Sequence, residues 1–335
     1  MVNVTFWGVR GSTPCPCDAN KRYGGNTACV SIQSPGQDPI LFDLGTGLRF
    51  FGESLPADEP FHGISLVTHL HWDHVQGLPF FTPINRPGAT LTICGRHDEG
   101  TLADAFADFM RPPYFPVRPQ DLCGEIAFRD TRSETFKFGR ARITAGDVPH
   151  TGATNGYRVE LDGFTIAYIS DHQQPIGSDA IEPSVLALCA GADLVIHDAQ
   201  YEPHEFAVKS DWGHCTVEYA VRVAAEAGAK RLALFHHSPD ATDAMIDEVV
   251  ARTAARTASS GDVSRDFTAR MMAERFATSN TSARITRSCV AARRLPAAPI
   301  DFEKANAPRA RTQRRQPDAA RLSDLRGADS APARP

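Results

Sequence analysis

The sequence predicts an α/β fold in which two β-sheets pack face to face and helices cover both outer surfaces, an αββα sandwich. Apolar runs of strand length occur in two groups along the chain, and each group is accompanied by a segment of helical periodicity. The layering gives every apolar face a partner. Polar residues also gather directly after several runs, and ligands of open α/β folds bind at strand ends.

The first group of strands and its helix lie in the N-terminal third. The predicted strands are 4–9, 28–32, 39–43, 63–67 and 90–94. Residues 101–110 have a helical pattern. The segment 111–116 contains three prolines, which exclude regular structure, so we predict an extended loop there.

The second group of predicted strands and its helix lie in the middle of the chain. The predicted strands are 141–145, 155–160, 164–169, 192–196 and 231–235. Asp162 and Gly163 form a two-residue turn signal, which predicts a hairpin between the second and third of them. An Ala-rich amphipathic helix is predicted over 216–227, and Gly228 is a natural stop for it.

The most informative stretch is 68–74, which reads Thr-His-Leu-His-Trp-Asp-His and places four potential metal ligands within six residues. Side chains two apart on an extended chain point to the same side, so His69 and His71 can bind one cation together. Asp73 and His74 lie where the chain turns into a helix and can bind a second cation. Imidazole suits zinc and similar ions, and a carboxylate adds a hard oxygen ligand.

This stretch resembles the signature of the metallo-β-lactamase superfamily, and the resemblance implies further ligands at later strand ends. The implied set is His69, His71 and His150 for one ion, Asp73, His74 and His236 for the other, and Asp171 bridging both. Two neighbouring dications repel each other, so an anionic bridge is chemically reasonable. A bridging water would become a hydroxide nucleophile near neutral pH. Zinc is the expected metal, with manganese and iron as alternatives.

One ligand position leaves two candidates, because His236 and His237 are adjacent. Neighbours on a strand face opposite ways, so only one of them should reach the metals. Relatives with the pattern Leu-Thr-His-Phe-Ser-Pro at this place favour His236. We expect His172, next to Asp171, to lie behind the site or in a loop.

Two further segments narrow the resemblance. The sequences His-Asp-Ala-Gln at 197–200 and Gly-His-Cys-Thr at 213–216 are similar to the HEAT and GHST segments of ribonuclease Z and its phosphodiesterase relatives, with Asp198 and Cys215 in place of Glu and Ser. The resemblance implies that His214 meets the scissile phosphate, where it either neutralises charge or protonates a leaving oxygen, while Asp198 fixes its tautomer. The predicted catalytic residues are His214 and Asp198 from these segments, together with Asp73 from the first motif.

These features predict a dinuclear-metal phosphodiesterase that hydrolyses a small, cyclic phosphodiester through a metal-bridging hydroxide. Class B β-lactamases and glyoxalase II share the first motif but lack the GHST histidine. Ribonuclease Z carries a long tRNA-holding arm between the third histidine ligand and the bridging aspartate, whereas His150 and Asp171 are only 21 residues apart. A ribonuclease Z-like 3′-processing endonuclease and a non-catalytic metal-binding scaffold remain alternatives.

Charge divides the chain of 335 residues into two parts. Residues 253–335 form a predicted basic, low-complexity and largely disordered tail, with a short helix over 270–276. Residues 251–335 hold 17 Lys and Arg against 8 Asp and Glu, a net +9, whereas the preceding residues hold 18 against 32, a net −14. The predicted catalytic domain, 1–252, is therefore acidic, and such a body offers few contacts to nucleic acid.

The composition also bears on location and assembly. A hydrophobic content of 42% and a charged content of 22% are typical of a soluble globular protein. No apolar run approaches the ~20 residues needed to span a bilayer, so no membrane association is expected. The N-terminus has no signal-peptide pattern, which predicts a cytoplasmic location. A homodimer is left open.

Overall fold

The computed structural model describes residues 1–178, 180–260 and 283–287, with side chains up to residue 255. In these ranges thirteen strands form two sheets. The strands are β1 (Val2–Gly8), β2 (Cys29–Ser34), β3 (Gln37–Phe42), β4 (His62–Leu66), β5 (Thr90–Gly95), β6 (Glu125–Asp130), β7 (Glu134–Phe138), β8 (Ala141–Asp147), β9 (Asn155–Leu161), β10 (Phe164–Ile169), β11 (Leu194–Asp198), β12 (Leu232–Phe235) and β13 (Ala283–Arg287).

Seven α-helices accompany the strands over the same ranges. They are α1 (Leu48–Ser54), α2 (Trp72–Val75), α3 (Leu102–Phe109), α4 (Pro183–Cys189), α5 (Pro203–Lys209), α6 (Val217–Glu226) and α7 (Asp243–Ser260). Two predicted helix starts are explained by their caps. Thr101 closes a capping box with Asp104 at the start of α3, and the Thr216 hydroxyl accepts from the Tyr219 amide at the start of α6.

The topology gathers several strand ends at one edge. The sheets run β13-β1-β2-β3-β4-β5-β6 and β12-β11-β10-β9-β8-β7. In the second sheet β10, β11 and β12 are parallel, and β8 is antiparallel to β9, which is antiparallel to β10. The carboxyl ends of β8, β10, β11 and β12 therefore point the same way. Four of the predicted functional side chains lie at or shortly after these ends, namely His150, Asp171, Asp198 and His236.

The core has the three apolar layers that an αββα sandwich requires. Between the sheets, the rings of Phe42 and Tyr168 stack with centroids 4.5 Å apart, and Phe235 packs edge-on against Tyr168. A second layer joins β10 and β11 to α4 and α6, and a third joins the first sheet to α1 and α3. Burial of each large side chain contributes roughly 1.5–3 kcal/mol. The predicted fold class is confirmed.

Several local predictions can be compared with the structure. The β9–β10 hairpin turns at Asp162 and Gly163, both with positive φ, as predicted. The sequence pattern missed β6 and β7, and it also missed β13, which pairs in parallel with β1 inside the region predicted to be a tail. Helix α7 continues through residue 252, so the predicted boundary at 252/253 coincides with no element end and stays a prediction. The predicted helix at 270–276 and the tail beyond 287 lie outside the described residues.

No helix in the described parts of the chain is long and apolar enough to cross a membrane.

Candidate dinuclear metal site

The 68–74 stretch has the local structure that its sequence predicts. Strand β4 ends at Leu66, the chain stays extended, and His71 is the N-cap of α2, with ψ of 150°. The helix turn redirects the next two ligand candidates, so Asp73 and His74 are buried together with His69. His71 remains exposed.

The first group of ligand candidates contains His69, His71, His150 and Asp171, whose ligand atoms all lie within 4.8 Å of one another. The Oδ2 atom of Asp171 is 3.8 Å from His69 Nε2 and 3.7 Å from His150 Nε2. His150 Nε2 is also 3.4 Å from His71 Nδ1. These donors converge on one point, as the ligands of a single ion do.

The second group contains Asp73, His74 and His236. The Oδ2 atom of Asp73 is 3.2 Å from His74 Nε2 and 3.1 Å from His236 Nε2. The Oδ1 atom of Asp171 is 3.2 Å and 3.4 Å from the same two nitrogens. The two carboxylate oxygens of Asp171 therefore face different groups, which is the geometry that a bridging ligand needs.

The adjacent residues His236 and His237, which follow β12, have different surroundings. His236 adopts a left-handed conformation, with φ of 55°, and its ring enters the second group. The backbone of His237 instead pairs with Val9 and Gly11. Burial, assisted by the nearby Arg10 guanidinium, lowers the pKa of His237 to about 3. The structure thus places His236, and not His237, among the ligand candidates.

The outer nitrogens of the clustered histidines are held by hydrogen-bond partners. The pairs are His74 Nδ1 with Asp43 Oδ2 (2.8 Å), His236 Nδ1 with Gln200 Oε1 (2.8 Å), His150 Nδ1 with the Gly213 carbonyl (2.6 Å) and His69 Nδ1 with Thr68 Oγ1 (3.1 Å). Such partners fix ring orientation and tautomer and leave Nε2 free for a metal. Gly213 has φ of +91°, and a Cβ there would lie 2.5 Å from the His150 ring, so this close approach requires glycine.

The donor chemistry fits two divalent ions. His69 Nε2 is buried without a hydrogen-bond partner, and burial lowers the pKa of His69 well below its usual value, so the ring is neutral with a free lone pair. Burial opposes ionisation of Asp171, but His236, His74 and His69 outweigh it and lower the pKa of that carboxyl. Burial alone would lower the pKa of His74, but the carboxylates of Asp73, Asp171 and Asp43 outweigh burial and raise this pKa well above its usual value. Cations at this place would balance the same carboxylates.

His214 and Asp198 lie beside this cluster. Asp198 ends β11 and is fully buried, and it accepts hydrogen bonds from the His172 and Gln200 amides. His214 Nδ1 donates to Asp198 Oδ2 over 3.0 Å and lies 3.8 Å from Asp171 Oδ2. Burial opposes protonation of His214, but the carboxylates, Asp198 foremost, raise its pKa. His214 also forms a third ligand-like group with Asp171 and His236.

Three contributors escaped the sequence analysis. Asp43 holds His74, Gln200 holds His236, and the Ser12 amide donates to Asp73 Oδ2 over 2.7 Å. Asp43 ends a predicted strand, and Gln200 lies in the segment that resembles HEAT. The positions of Asp43 and Gln200 in the sequence therefore indicated that they lie near the site, although the sequence analysis assigned them no hydrogen-bond partner.

We expect Asp43→Asn to weaken metal binding roughly 10- to 100-fold, the usual loss when a partner of a ligating histidine is changed. The buried Asp43 carboxylate is 2.8 Å from His74 Nδ1, and the amide would remove its charge. Competition with a chromophoric chelator measures the affinity. Asp38→Asn, at an exposed position of β3, the strand that Asp43 follows, is the matched control. Equal affinities in the two variants would contradict the positioning role of Asp43.

Comparison with known families agrees with this architecture. The family model described as "Beta-lactamase superfamily domain" matches residues 39–237, which is more than half of the chain. The match includes all seven ligand candidates together with His214 and Asp198. The chain belongs to the metallo-β-lactamase superfamily, and within it to the metal-dependent hydrolases.

Individual relatives agree in length and fold. The ribonuclease Z of Haloarcula marismortui is 26% identical over 309 residues, covering 78% of this chain and 93% of that protein. Among solved structures, the human tRNase Z short form has a TM-score of 0.55 at 23% identity and covers 71% of this chain and 93% of its own. Zn²⁺-bound PqqB from Methylobacterium extorquens has a TM-score of 0.57 at 18% identity, with coverage of 75% and 96%. These two structures show that the fold is shared.

Proposed function

We propose that this protein is a dinuclear-metal phosphodiesterase that hydrolyses a small, cyclic phosphodiester. The observation that carries the proposal is the position of Asp171, which faces two ligand groups with its two oxygens and has His214 beside it. This arrangement combines two cation sites with a separate proton donor. Hydrolysis of a diester requires both functions, because the attacking water must lose a proton and the leaving oxygen must gain one.

Each side chain has a role in this scheme. When bound, two divalent ions would supply Lewis acidity and an activated water. His69, His71, His74, His150, His236, Asp73 and Asp171 would hold them, with zinc favoured by the imidazole-rich set and manganese or iron as alternatives. The Nδ1 hydrogen bond of His214 to Asp198 leaves Nε2 to protonate the leaving oxygen. Asp198 keeps that tautomer and supports the positive charge on the ring.

The connection between His150 and Asp171 supports a small substrate. Strands β9 and β10 and their two-residue turn fill it, so no arm is inserted between these two ligand candidates. The acidic charge of the residues preceding 251 would also repel a polyanion. A diester small enough to enter the site directly needs neither an arm nor a basic surface.

One observation favours a second candidate, a ribonuclease Z-like RNA 3′-processing endonuclease. The resemblance to the ribonuclease Z of Haloarcula marismortui covers 93% of that protein. In that case another surface, such as the basic segment after residue 253, would have to replace the arm.

We expect the metal-loaded protein to hydrolyse bis(p-nitrophenyl) phosphate and at least one cyclic phosphodiester, with little cleavage of pre-tRNA. The site would hold a non-bridging oxygen of the diester, so a phosphate monoester should be a poor substrate. A panel of cyclic nucleotides, cyclic ribose phosphates and pre-tRNA measures the ranking. Specific trimming of pre-tRNA 3′ ends without turnover of small diesters would favour the second candidate. Two bound metals without any turnover would favour a scaffold.

A further inference from the structure

A pocket of about 730 Å³ lies next to the candidate metal site. Its volume is in the range of ligand pockets. One wall is built from the metal-binding segment itself, with Leu70, Trp72 and Val75, and the opposite wall from α3 and the loops on either side of it. No ligand candidate of the metal site lines it. The pocket is therefore a separate subsite that shares a wall with the metal site.

The shared wall follows from the alternation of side chains along 69–75. His69, His71, Asp73 and His74 belong to the ligand groups, while Leu70, Trp72 and Val75 face the pocket. The loop after His150 connects the two sites at one edge, because the Ala153 amide donates to Asp98 Oδ2 over 3.1 Å and Asp98 lies between the pocket residues His97 and Glu99. A phosphodiester at the metals would reach the pocket with one of its substituents around this edge. The pocket can select that substituent without contributing to the chemistry.

The pocket offers aromatic surface that is not packed against the protein. The side chains of Trp72 and Tyr114 are each 76% exposed, and Phe80 is 59% exposed. Phe115, which also lines the pocket, supports Phe80 edge-on, with the ring centroids 5.9 Å apart. Exposed aromatic rings around a cavity favour a flat aromatic ligand, because stacking covers both partners.

The polar atoms of the pocket are mostly acceptors. Asp104 is engaged by the Thr101 cap and Asp108 by Arg111, whereas the exposed Glu99 carboxylate has no side-chain partner among the described residues. The Glu99 amide donates to His97 Nδ1 over 3.2 Å, so a neutral His97 ring carries its proton on Nε2. A free carboxylate and a ring N–H donor therefore occur together in the pocket.

We propose that this pocket binds a guanine base of the substrate, which rests on the phosphodiesterase function proposed above. A carboxylate accepts only, and its two oxygens match two adjacent N–H donors. Guanine is the one standard base with such a pair, N1–H and the 2-amino group, next to the O6 acceptor that His97 would bind. Adenine and cytosine place a ring acceptor beside their amino group, which would repel Glu99. The substrate class is then a guanosine cyclic phosphodiester.

The subsite is tested by the binding of nucleosides to the metal-loaded full-length protein. Quenching of tryptophan fluorescence measures this binding. Guanosine is expected to bind about tenfold more tightly than adenosine or cytidine, the value of one hydrogen bond to a charged acceptor. Glu99→Gln should abolish this preference, because the amide offers one acceptor and one donor group. Tyr114→Ala should weaken all nucleosides alike, by about tenfold, through lost stacking.

The matched control is Glu125→Gln, an exposed carboxylate at the start of β6 that does not line the pocket, and it should keep the preference for guanosine. Equal binding of the three nucleosides, or a preference that survives in Glu99→Gln, would overturn the proposal. Nucleosides contain no phosphodiester, so the two proposals fail separately. Guanosine binding without diester turnover would reject the phosphodiesterase alone, and turnover without guanosine preference would reject the subsite alone.

Discussion

Asp171→Asn is expected to lower metal content from two ions per chain to one or none, and to lower turnover of bis(p-nitrophenyl) phosphate by about 10³-fold or more. The amide has the size of the carboxylate, but one of its two oxygens becomes an NH₂ group that cannot ligate. Since Oδ1 and Oδ2 of Asp171 face different ligand groups, one of these groups must lose its shared ligand. The lost negative charge also leaves repulsion between two dications without compensation.

Elemental analysis after metal-replete purification measures the ion content, and thermal unfolding with and without a chelator shows whether the variant is folded. Asp193→Asn is the matched control, since this carboxylate precedes β11 and pairs with Lys230 away from the site. Two ions bound to Asp171→Asn, with a near-normal rate, would show that Asp171 is not the bridging ligand. In that case the close approach of His214 and His236 to Asp171 would have a cause other than a shared metal ion.

The predicted ligand set came from two sources, the local geometry of the 68–74 stretch and a resemblance to a family. His69 and His71 follow a strand, and their spacing alone places them on one side. His150, Asp171 and His236 follow strands β8, β10 and β12, which run in one direction, so strand ends that are distant in sequence meet at one edge. The resemblance to a family supplied the pairing of these ends. Their metal-ligating role stays a prediction until ions are measured.

Other features depend on contacts that no local pattern specifies. Asp43 and His74 are 31 residues apart, and Gln200 and His236 are 36 apart, so their hydrogen bonds become visible only in the folded chain. Strands β6 and β7 lie at sheet edges and are largely exposed or half-buried, which removes the apolar run that indicates a strand. The β13 pairing with β1 joins the two ends of the described chain, and composition alone suggested a tail there.

His214→Ala is expected to retain both metals and to lose about 10²- to 10⁴-fold in rate, the usual contribution of a positioned general acid. His214 Nδ1 is bound to Asp198 and lies 3.8 Å from Asp171 Oδ2, while the His214 ring stacks on the His236 ring with centroids 5.0 Å apart. The metal content of the variant therefore distinguishes a general acid from a metal ligand at position 214. Loss of an ion in this variant would make His214 a ligand, as its group with Asp171 and His236 allows.

The leaving group distinguishes proton donation from a structural effect of the same substitution. p-Nitrophenolate is a weak base and leaves without a proton, whereas the alkoxide of a cyclic nucleotide needs one. His214→Ala should therefore reduce hydrolysis of a cyclic nucleotide far more than hydrolysis of bis(p-nitrophenyl) phosphate. Asp198→Asn should show the same selectivity with a smaller loss. On the cyclic nucleotide the double variant should lose little beyond His214→Ala, because Asp198 contributes to proton donation through the His214 ring. Equal losses on both substrates would reject His214 as the proton donor and leave it a part of the site wall.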